Sequence, residues 1–218
     1  MKIILLGAPG VGKGTQAELI CNYFKIPHIS TGDLFRSNIK EGTALGLQVN
    51  EYIKNGKLVP DDLTDALVED RLKKDDCKNG FLLDGFPRDG NQARELDLFL
   101  NAKGEHIDYV FLIDVPENII IDRIAGRRVC PKCGESYNIK YHPSKVGNLC
   151  QFCGSELVHR ADDEEHVVLE RLAVYHKMTE PIIKYYSDLG ILHRIKGEED
   201  IDTIFKNILA ILIKGEKI

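Results

Sequence analysis

The segment that decides the fold is the amino-terminal one, Met1-Lys-Ile-Ile-Leu-Leu-Gly-Ala-Pro-Gly-Val-Gly-Lys-Gly-Thr15. Ile3 to Leu6 is an uninterrupted apolar run, which is typical of a strand that is buried on both faces of a parallel sheet. The glycine-rich segment after it has the spacing Gly7-x4-Gly12-Lys13, and a helical pattern follows from Gln16. Strand, glycine-rich loop, lysine and helix in this order predict a phosphate-binding loop.

The chemistry of such a loop depends on its glycines and its lysine. Glycine lets consecutive backbone N–H groups converge on phosphate oxygens, because no Cβ stands in the way. The helix directs the positive end of its dipole at the same place, and Lys13 can reach the β- and γ-phosphates of a nucleotide. Gly14 departs from the general motif, in which Ser or Thr follows the lysine. The loop alone does not distinguish a kinase from an ATPase or a nucleotide switch, and the alternative is a glycine-rich turn without a ligand.

Length and charge exclude several classes of protein. The 218 residues suffice for one α/β domain with insertions or for two small domains. The formal net charge is −5, whereas a general nucleic-acid-binding protein would more often be basic. No apolar run has the length of a membrane span, and the segment 1–6 is too short for the core of a signal peptide. We therefore expect a cytoplasmic protein that binds neither nucleic acid nor membranes, with reduced or metal-bound cysteines.

Apolar runs and helical patterns alternate along the chain. This alternation predicts an α/β fold with a doubly wound, five-stranded parallel sheet and a ligand crevice at the carboxyl ends of the strands. Three consecutive helical patterns, at 33–40, 43–54 and 61–74, suggest an insertion. A helix over 117–125 is expected to end in Arg123, Arg127 and Arg128, and one long helix over 164–188 is expected to bend at Pro181. The five predicted strands are 3–6, 27–30, 81–84, 109–114 and 191–195.

Asp84 ends the apolar strand Phe81-Leu-Leu-Asp. A phosphate-loop fold needs a carboxylate at the end of a neighbouring strand, where it organises Mg²⁺ directly or through its waters. The same residues by themselves fit a strand followed by an Asp-Gly turn equally well. Together with the loop, Asp84 predicts a magnesium–nucleotide site.

Residues 129–163 contain few aliphatic side chains and four cysteines with the spacing C-x2-C-x16-C-x2-C, which lies in the zinc-ribbon range. Two pairs of thiolates complete a tetrahedral site without an open position, so the metal should be structural. Zinc is the expected ion, iron could occupy the same sulfurs, and four free thiols are the alternative. The isolated Cys21 and Cys77 are expected to be core or surface residues. The predicted ligands are Cys130, Cys133, Cys150 and Cys153.

A second group of residues comprises arginines in separate segments near predicted loops and helix ends. Each one alone is compatible with a solvated surface charge. As a set, guanidinium groups could clamp several phosphates, and a nucleoside monophosphate already brings an anionic oxygen as nucleophile. Positioning and charge neutralisation would then suffice for phosphoryl transfer. The arginines are Arg36, Arg88, Arg123, Arg127, Arg160 and Arg171.

Together these motifs closely resemble the adenylate kinase family over essentially the whole chain, in its long-lid bacterial form with a four-cysteine lid. The sequence Gly14-Thr15 is the normal form in that family. The resemblance implies a fold of the P-loop NTPase type, with a core formed by 1–29, 60–125 and 164–218. It also implies a helical AMP-binding insertion over 30–59 and a zinc-ribbon-like lid over 126–163. The motifs that carry the resemblance are Gly7 to Thr15, Ser30-Thr-Gly-Asp33, Leu83-Asp-Gly-Phe-Pro-Arg88 with Gln92, Gly126-Arg-Arg128 and Arg160-Ala-Asp-Asp163.

The resemblance implies roles for individual residues. The loop residues Gly10, Val11, Gly12, Lys13, Gly14 and Thr15 would bind the ATP phosphates. Arg123, Arg127, Ser136 and Tyr137 would form the lid side of the ATP site, and Glu199 lies where a backbone carbonyl would contact adenine. Asp84 would order Mg²⁺-bound water, and Lys13, Arg88, Arg123, Arg127, Arg160 and Arg171 would act in catalysis. The AMP site would comprise Thr31, Arg36, Lys57, Leu58, Val59, Gly85, Phe86, Pro87, Arg88, Gln92, Arg160 and Arg171, with Gln92 recognising the base.

The activity implied is reversible transfer of the ATP γ-phosphoryl group to AMP, giving two ADP, with Mg²⁺ on the donor and a structural Zn²⁺ in the lid. Such an enzyme maintains the balance of adenine nucleotides, and the family-level expectation is a monomer. The closest alternative is a UMP/CMP or GTP–AMP kinase. The cysteine-bearing lid and Gln92 argue against the former, and the cysteines argue less strongly against the latter. A zinc-ribbon nucleic-acid-binding module fused to a nucleotide switch is the alternative from another class, and the acidic net charge argues against it.

Overall fold

The centre of the molecule is a five-stranded sheet in the order β2-β3-β1-β4-β7. The computed structural model describes residues 1–215. All neighbouring strands of this sheet run parallel, which confirms the doubly wound sheet predicted from the sequence. The strands are β1 (Lys2–Leu6), β2 (His28–Ser30), β3 (Phe81–Asp84), β4 (Tyr109–Asp114) and β7 (Leu192–Lys196); β5 (Arg127–Val129) and β6 (Ser136–Asn138) form a separate pair.

Helices cover both faces of the sheet, because alternate residues of β1 point to opposite sides. Ile4 belongs to an apolar cluster with Val68 and Leu96, and Ile3 belongs to one with Ile20 and Ile208. Each face of the buried central strand is thus sealed by helices. The helices are α1 (Lys13–Phe24), α2 (Thr31–Glu41), α3 (Ala44–Lys54), α4 (Asp61–Leu72), α5 (Gly90–Asn101), α6 (Glu117–Ala125), α7 (Glu165–Val174), α8 (Pro181–Asp188) and α9 (Ile201–Gly215).

Helices α2 and α3 form a small unit between β2 and α4, as the interrupted strand–helix rhythm predicts. Short polar side chains begin both helices: Ser30 accepts a hydrogen bond from the Asp33 N–H at 3.2 Å, and Thr43 accepts one from the Gly46 N–H at 3.0 Å. Phe35, Val49 and Val59 form an apolar cluster of their own. This unit rises beside the carboxyl end of the sheet, because β2 ends where α2 begins.

The helical segment predicted over 164–188 is present, and it is interrupted just before Pro181, where a bend was expected. Helix α7 ends at Val174, a π-helical turn spans Tyr175–Thr179, and α8 begins at Pro181. Proline has no N–H to continue the α-helical ladder and is favoured at the first position of a new helix. The Glu180 N–H instead donates to the Tyr175 carbonyl, five residues earlier, at 2.9 Å. The chain therefore inserts a π-turn, a feature that is often found at functional sites.

The lid region contains an antiparallel pair that the sequence analysis did not predict. Strands β5 and β6 pair with Arg127 opposite Asn138, so Arg127 and Arg128 belong to β5 and not to the end of α6, where we expected them. Helix α6 ends at Ala125 because the Gly126 N–H closes its last turn. In the part of the chain that the structure describes, no helix combines the length and the apolar character that a membrane crossing requires.

Candidate functional site

The loop between β1 and α1 has the backbone geometry of a phosphate cradle. Gly7, Gly10 and Gly12 have φ values of 141°, 84° and 102°, a region that residues with a Cβ rarely adopt. A Cβ on Gly7 would lie 2.6 Å from the Ile113 carbonyl oxygen. Gly12 is the N-cap of α1 and has no side chain with which to cap the helix. The first-turn N–H groups of α1 therefore face the loop, where an anion can accept from them.

Lys13 places its ammonium group inside this loop. Its Nζ donates to the carbonyl oxygens of Gly7 at 2.7 Å and of Ala8 at 3.0 Å. Desolvation lowers the pKa of Lys13 to about 8; the charge of Asp84 opposes this shift, and Arg88 contributes to it. Burial therefore disfavours the charged form of Lys13, and a bound anion would offset that cost. Such a site favours a multiply charged anion.

Asp84 lies at the carboxyl end of β3, beside the start of the loop, because β3 pairs with β1 in the register Leu5–Asp84. One carboxylate oxygen would be 3.7 Å from a Cβ on Gly14, at the first turn of α1. His28, from β2, places Nε2 3.4 Å from the same oxygen. Desolvation opposes ionisation, but the hydrogen bond from His28 and the charge of Lys13 lower the pKa of Asp84. An ionised oxygen ligand at this position fits Mg²⁺ or its bound water.

Three of the predicted arginines converge on two buried carboxylates that the sequence analysis did not assign. Asp162 and Asp163, which are 8% and 3% exposed, lie in a 3₁₀ turn at the end of the lid. Arg171 donates to Asp162 Oδ2 at 3.1 Å, and Arg127 donates to Asp163 through two nitrogens, one of them at 2.7 Å. Arg36 Nη1 lies 3.8 Å from Asp162 Oδ2. The acidic pair therefore holds arginines from the insertion, the lid and α7 in one place.

The other predicted arginines have less negative charge around them to compensate their own positive charge. Arg88 donates through Nε to the Gly85 carbonyl at 2.7 Å, and desolvation with the charge of Arg171 lowers its pKa to about 10. Desolvation and the neighbouring Arg36 and Arg127 lower the pKa of Arg160 to about 10. Arg123 Nη1 donates to the Val11 carbonyl of the loop at 3.2 Å. A surplus of guanidinium charge next to the phosphate loop suits a ligand with several phosphates.

The predicted AMP residues surround the mouth of the insertion. Thr31, which is 1% exposed, donates through Oγ1 to the Gly85 carbonyl at 2.7 Å and so joins α2 to the end of β3. Gln92, also 1% exposed, lies in the first turn of α5 and accepts from the Arg88 N–H at 2.8 Å. Phe86, Pro87 and Val59 are buried, Leu58 is partly buried and Lys57 is exposed. The Phe86–Pro87 peptide bond is cis.

Two predicted positions have side chains turned away from the loop. The Tyr137 hydroxyl lies 3.4 Å from Cys150 Sγ and accepts from the Gln151 N–H, inside the lid lobe. Glu199 accepts from Asn207 Nδ2 at 3.0 Å on the exposed surface after β7. In this arrangement the hydroxyl of Tyr137 and the carboxylate of Glu199 each contact other groups of the protein. Ser136, at the start of β6, is partly exposed.

The four predicted metal ligands come together at the tip of the lid. Their sulfur atoms all lie within 4.8 Å of one another, with separations of 3.3 Å between Cys130 and Cys153 and 3.5 Å between Cys133 and Cys150. A tetrahedral zinc site with Zn–S bonds of about 2.3 Å requires sulfurs about 3.8 Å apart, whereas a disulfide requires about 2.05 Å. The cluster therefore fits a four-thiolate metal site.

The sequence analysis missed three residues with specific contacts in this region. His28 alternates with buried Ile29 on β2, and this alternation near a strand end was the available signal. The acidic pair Asp162 and Asp163 follows Arg160 directly, but its role depends on arginines that are distant in sequence. Only the fold brings these groups together, so spacing along the chain carried no information about their partners.

Comparison with known proteins agrees with this geometry. A family model described as adenylate kinase matches residues 5–191. Adenylate kinases of Clostridium botulinum (strain 657 / Type Ba4) and Clostridium acetobutylicum are each 56% identical to the chain over 212 residues. These alignments cover 97% of the chain and 98% and 99% of the relatives. The adenylate kinase of Clostridium kluyveri is 52% identical with the same coverage of the chain.

The matched region of the family model and the alignments with these relatives both include the glycine loop and the segment with the four cysteines. The enzyme class and the fold thereby follow from the comparison as well as from the geometry. This chain belongs to the adenylate kinase family.

Proposed function

We propose that the enzyme transfers the γ-phosphoryl group of Mg·ATP reversibly to AMP, giving two ADP. The observation that carries this proposal is geometric: Lys13 lies inside the glycine loop, Arg123 contacts that loop, and three further arginines converge on one buried acidic pair. A site lined by so many cationic side chains suits two phosphorylated ligands. Membership in the adenylate kinase family supports ATP and AMP as those ligands.

Each group has a role in this proposal. The loop from Gly10 to Thr15 binds the ATP phosphates through its N–H groups, and Lys13 follows the transferring phosphoryl group. Arg88 orients the AMP phosphate, whose anionic oxygen attacks in line. Positioning and charge neutralisation supply most of the catalysis in phosphoryl transfer, so no strong general base is required. Arg123, Arg127, Arg160 and Arg171 neutralise the charge that develops between the two nucleotides.

Recognition of the two nucleosides uses different parts of the chain. Thr31, Arg36, Gly85 to Pro87 and the segment 57–59 enclose AMP, and Gln92 reads its base. Backbone groups near Ser136, Tyr137 and Glu199 contact ATP, because two of these side chains point elsewhere. The division into a core, an AMP-binding insertion over 30–59 and a lid over 126–163 forms part of the same proposal.

The proposed function includes two metal ions. Mg²⁺ would be held by the ATP phosphates and, through its waters, by Asp84, and would neutralise charge on the donor. Zn²⁺ would be held by the four lid cysteines and would stabilise the lobe without touching substrate, since four thiolates leave no open position. Reduced thiolate ligands fit a reducing compartment, so the proposal places the enzyme in the cytoplasm. A monomeric state and a role in the balance of adenine nucleotides complete the proposal.

One assay tests the activity. The enzyme is incubated with Mg·ATP and, in turn, with AMP, UMP, CMP and GMP, and with Mg·GTP and AMP. We expect rapid ADP formation with AMP and ATP and much slower diphosphate formation with the other pairs. Starting from ADP alone should give ATP and AMP. Preferential phosphorylation of a pyrimidine monophosphate, or a requirement for GTP, would contradict the proposal.

A further inference from the structure

The Gln92 side chain is held at both ends by different groups. Its Oε1 accepts from the Arg88 backbone N–H at 2.8 Å, and its Nε2 donates to Asp61 Oδ1 at 2.9 Å. Asp61 is the first residue of α4 and is separated from the segment 57–59 by Pro60 alone. The contact spans 31 positions of sequence, so it exists only because α4 and α5 pack side by side.

These two contacts determine the orientation of the Gln92 amide, with its oxygen toward Arg88 and its nitrogen toward Asp61. Rotating the Gln92 amide by 180° would turn its N–H groups toward the Arg88 N–H and its oxygen toward the Asp61 carboxylate. Both contacts would then be repulsive, because each would join two donors or two acceptors. Each end of the amide keeps one further hydrogen-bonding position, a lone pair on Oε1 and a hydrogen on Nε2.

We propose that Asp61 is a specificity-determining residue, which holds the Gln92 amide in the orientation that accepts adenine and rejects 6-oxopurines. The inference rests on the proposed function, in which Gln92 reads the AMP base. Adenine offers a donor at its 6-amino group and an acceptor at N1, which match Oε1 and Nε2. Hypoxanthine and guanine offer an acceptor at O6 and a donor at N1, the reverse pattern. The locked amide therefore faces them with two mismatched contacts.

The charges around the amide act in the same direction. Asp65 lies one turn after Asp61 on the same face of α4, and Asp89 caps α5 by accepting from the Gln92 N–H at 3.0 Å. Desolvation and the charges of Asp61 and Asp89 raise the pKa of Asp65 to about 6. The carboxyl oxygens of Asp61 and Asp89 lie beside Gln92 as hydrogen-bond acceptors, which favours an amino group over a carbonyl oxygen.

The test measures kcat/KM for AMP and for inosine monophosphate, which differs from AMP at the 6-position and N1 of the base. Asp61→Ala removes the acceptor for Nε2 but leaves the Arg88 contact, so we expect the ratio of the two kcat/KM values to fall about tenfold. Asp61→Ser keeps a residue that is favourable at a helix start and is too short to reach Nε2, so it should behave like Asp61→Ala. Asp61→Asn still presents an oxygen and should restore most of the ratio.

Asp62→Ala is the matched control, because Asp62 is an exposed carboxylate in the same first turn of α4. It should leave the ratio within about twofold of the wild-type value. The proposal is overturned if folded Asp61→Ala or Asp61→Ser keeps the wild-type ratio, including the case in which kcat/KM falls equally for AMP and for inosine monophosphate. If Gln92→Leu leaves the AMP KM unchanged, the proposed contact between Gln92 and the base is itself wrong. This measurement distinguishes a failure of the proposed function from a failure of the inference about Asp61.

Discussion

At the scale of single residues, the site combines arginines held by carboxylates with a lysine held by backbone carbonyl oxygens. Desolvation lowers the pKa of Lys13 to about 8, so burial disfavours the charge that Lys13 carries. A charge that burial disfavours contributes little to folding, so we expect the ammonium group of Lys13 to act on a bound anion. Residues of this kind can be replaced at little cost in stability and a large cost in function.

Replacing Lys13 with Met tests this separation. We expect kcat to fall by about 10²- to 10³-fold, because a charge aimed at the transferring phosphoryl group is lost. The melting temperature should stay the same or rise, since a desolvated ammonium group has been removed. Lys25→Met, in an exposed residue at the end of the same helix, is the control and should change neither quantity. Turnover close to wild type in Lys13→Met would contradict the assignment.

Replacing Gln92 with Leu tests the base contact. The substitution leaves a polar group of the base unpaired, which typically costs about 1–3 kcal/mol, so the AMP KM should rise while the ATP KM changes little. Asp61 and the Arg88 N–H also lose their partner, so the melting temperature is recorded in parallel. An equal rise in both KM values would show that Gln92 only stabilises the packing of α4 and α5.

At the scale of elements, hydrogen bonds join the π-turn over Tyr175–Thr179 to two other parts of the chain. Thr179 donates through Oγ1 to the Arg88 carbonyl at 2.7 Å. His176 bridges Glu180, in the next turn, and Glu117, at the start of α6, at 2.7 Å each. The turn thus connects the backbone of a proposed catalytic arginine with the helix that leads into the lid.

The histidine bridge should make stability depend on pH. The bonds to Glu180 and Glu117 raise the pKa of His176 above 6.5, so the protonated form stabilises the fold. This contribution is complete below pH 6.5 and is lost as the pH rises through the folded-state pKa. His176→Gln should therefore melt below wild type at pH 6, and the difference should shrink by pH 9. His166→Gln, an exposed histidine of α7, is the control. A difference that does not depend on pH would refute the charge-based explanation.

The lid lobe has a core of Cys130, Tyr137, Cys150 and Leu157, which is too small to stabilise it alone. Cys130→Ser should lower the zinc content and the melting temperature, with the lid loosening first. Turnover well below the melting range should fall much less, although Arg127 and Arg160 depend on the lobe for position. Cys21→Ser should keep its zinc, because Cys21 lies in α1. Zinc-free protein that melts like wild type but has lost turnover by orders of magnitude would assign the metal to catalysis.

At the scale of the whole molecule, the insertion and the lid touch each other across the site. Arg36 of α2 faces Asp162, and Lys40 of the same helix donates to the Pro131 carbonyl of the first cysteine knuckle at 2.9 Å. Both contacts join segments that are far apart in sequence. In the proposed function, they would help to hold the site closed over the two nucleotides.

Replacing Lys40 with Met tests the contribution of this contact to closure. A single exposed hydrogen bond is worth about 0.5–1.5 kcal/mol, so we expect KM to rise by about two- to tenfold for both nucleotides. The value of kcat should not fall, because Lys40 lies outside the reacting groups and opening often limits turnover. Lys54→Met, which removes an exposed lysine of α3, is the control. A lower kcat with unchanged KM values would mean that the contact does not act in closure.

The sequence by itself determined the parts of this protein that depend on local order. The phosphate loop, the strand ending in Asp84 and the four-cysteine spacing are contiguous or nearly so, and backbone geometry or ligand chemistry restricts which residues can occupy them. The five strands were predictable because a sheet covered on both faces needs uninterrupted apolar runs. The interrupted alternation of strands and helices suggested an insertion, and the family resemblance assigned that insertion to AMP and the cysteine-bearing segment to a lid.

The tertiary structure alone decided which groups meet. Asp162 and Asp163 bind Arg36, Arg127 and Arg171 from three separate segments, and Asp61 meets Gln92 across α4 and α5. The π-turn before Pro181 and the β5–β6 pair likewise depend on packing that overrides local propensity. The physical reason is that a polar or charged side chain is satisfied by whichever partner the fold brings within hydrogen-bonding distance, and sequence spacing does not record that partner.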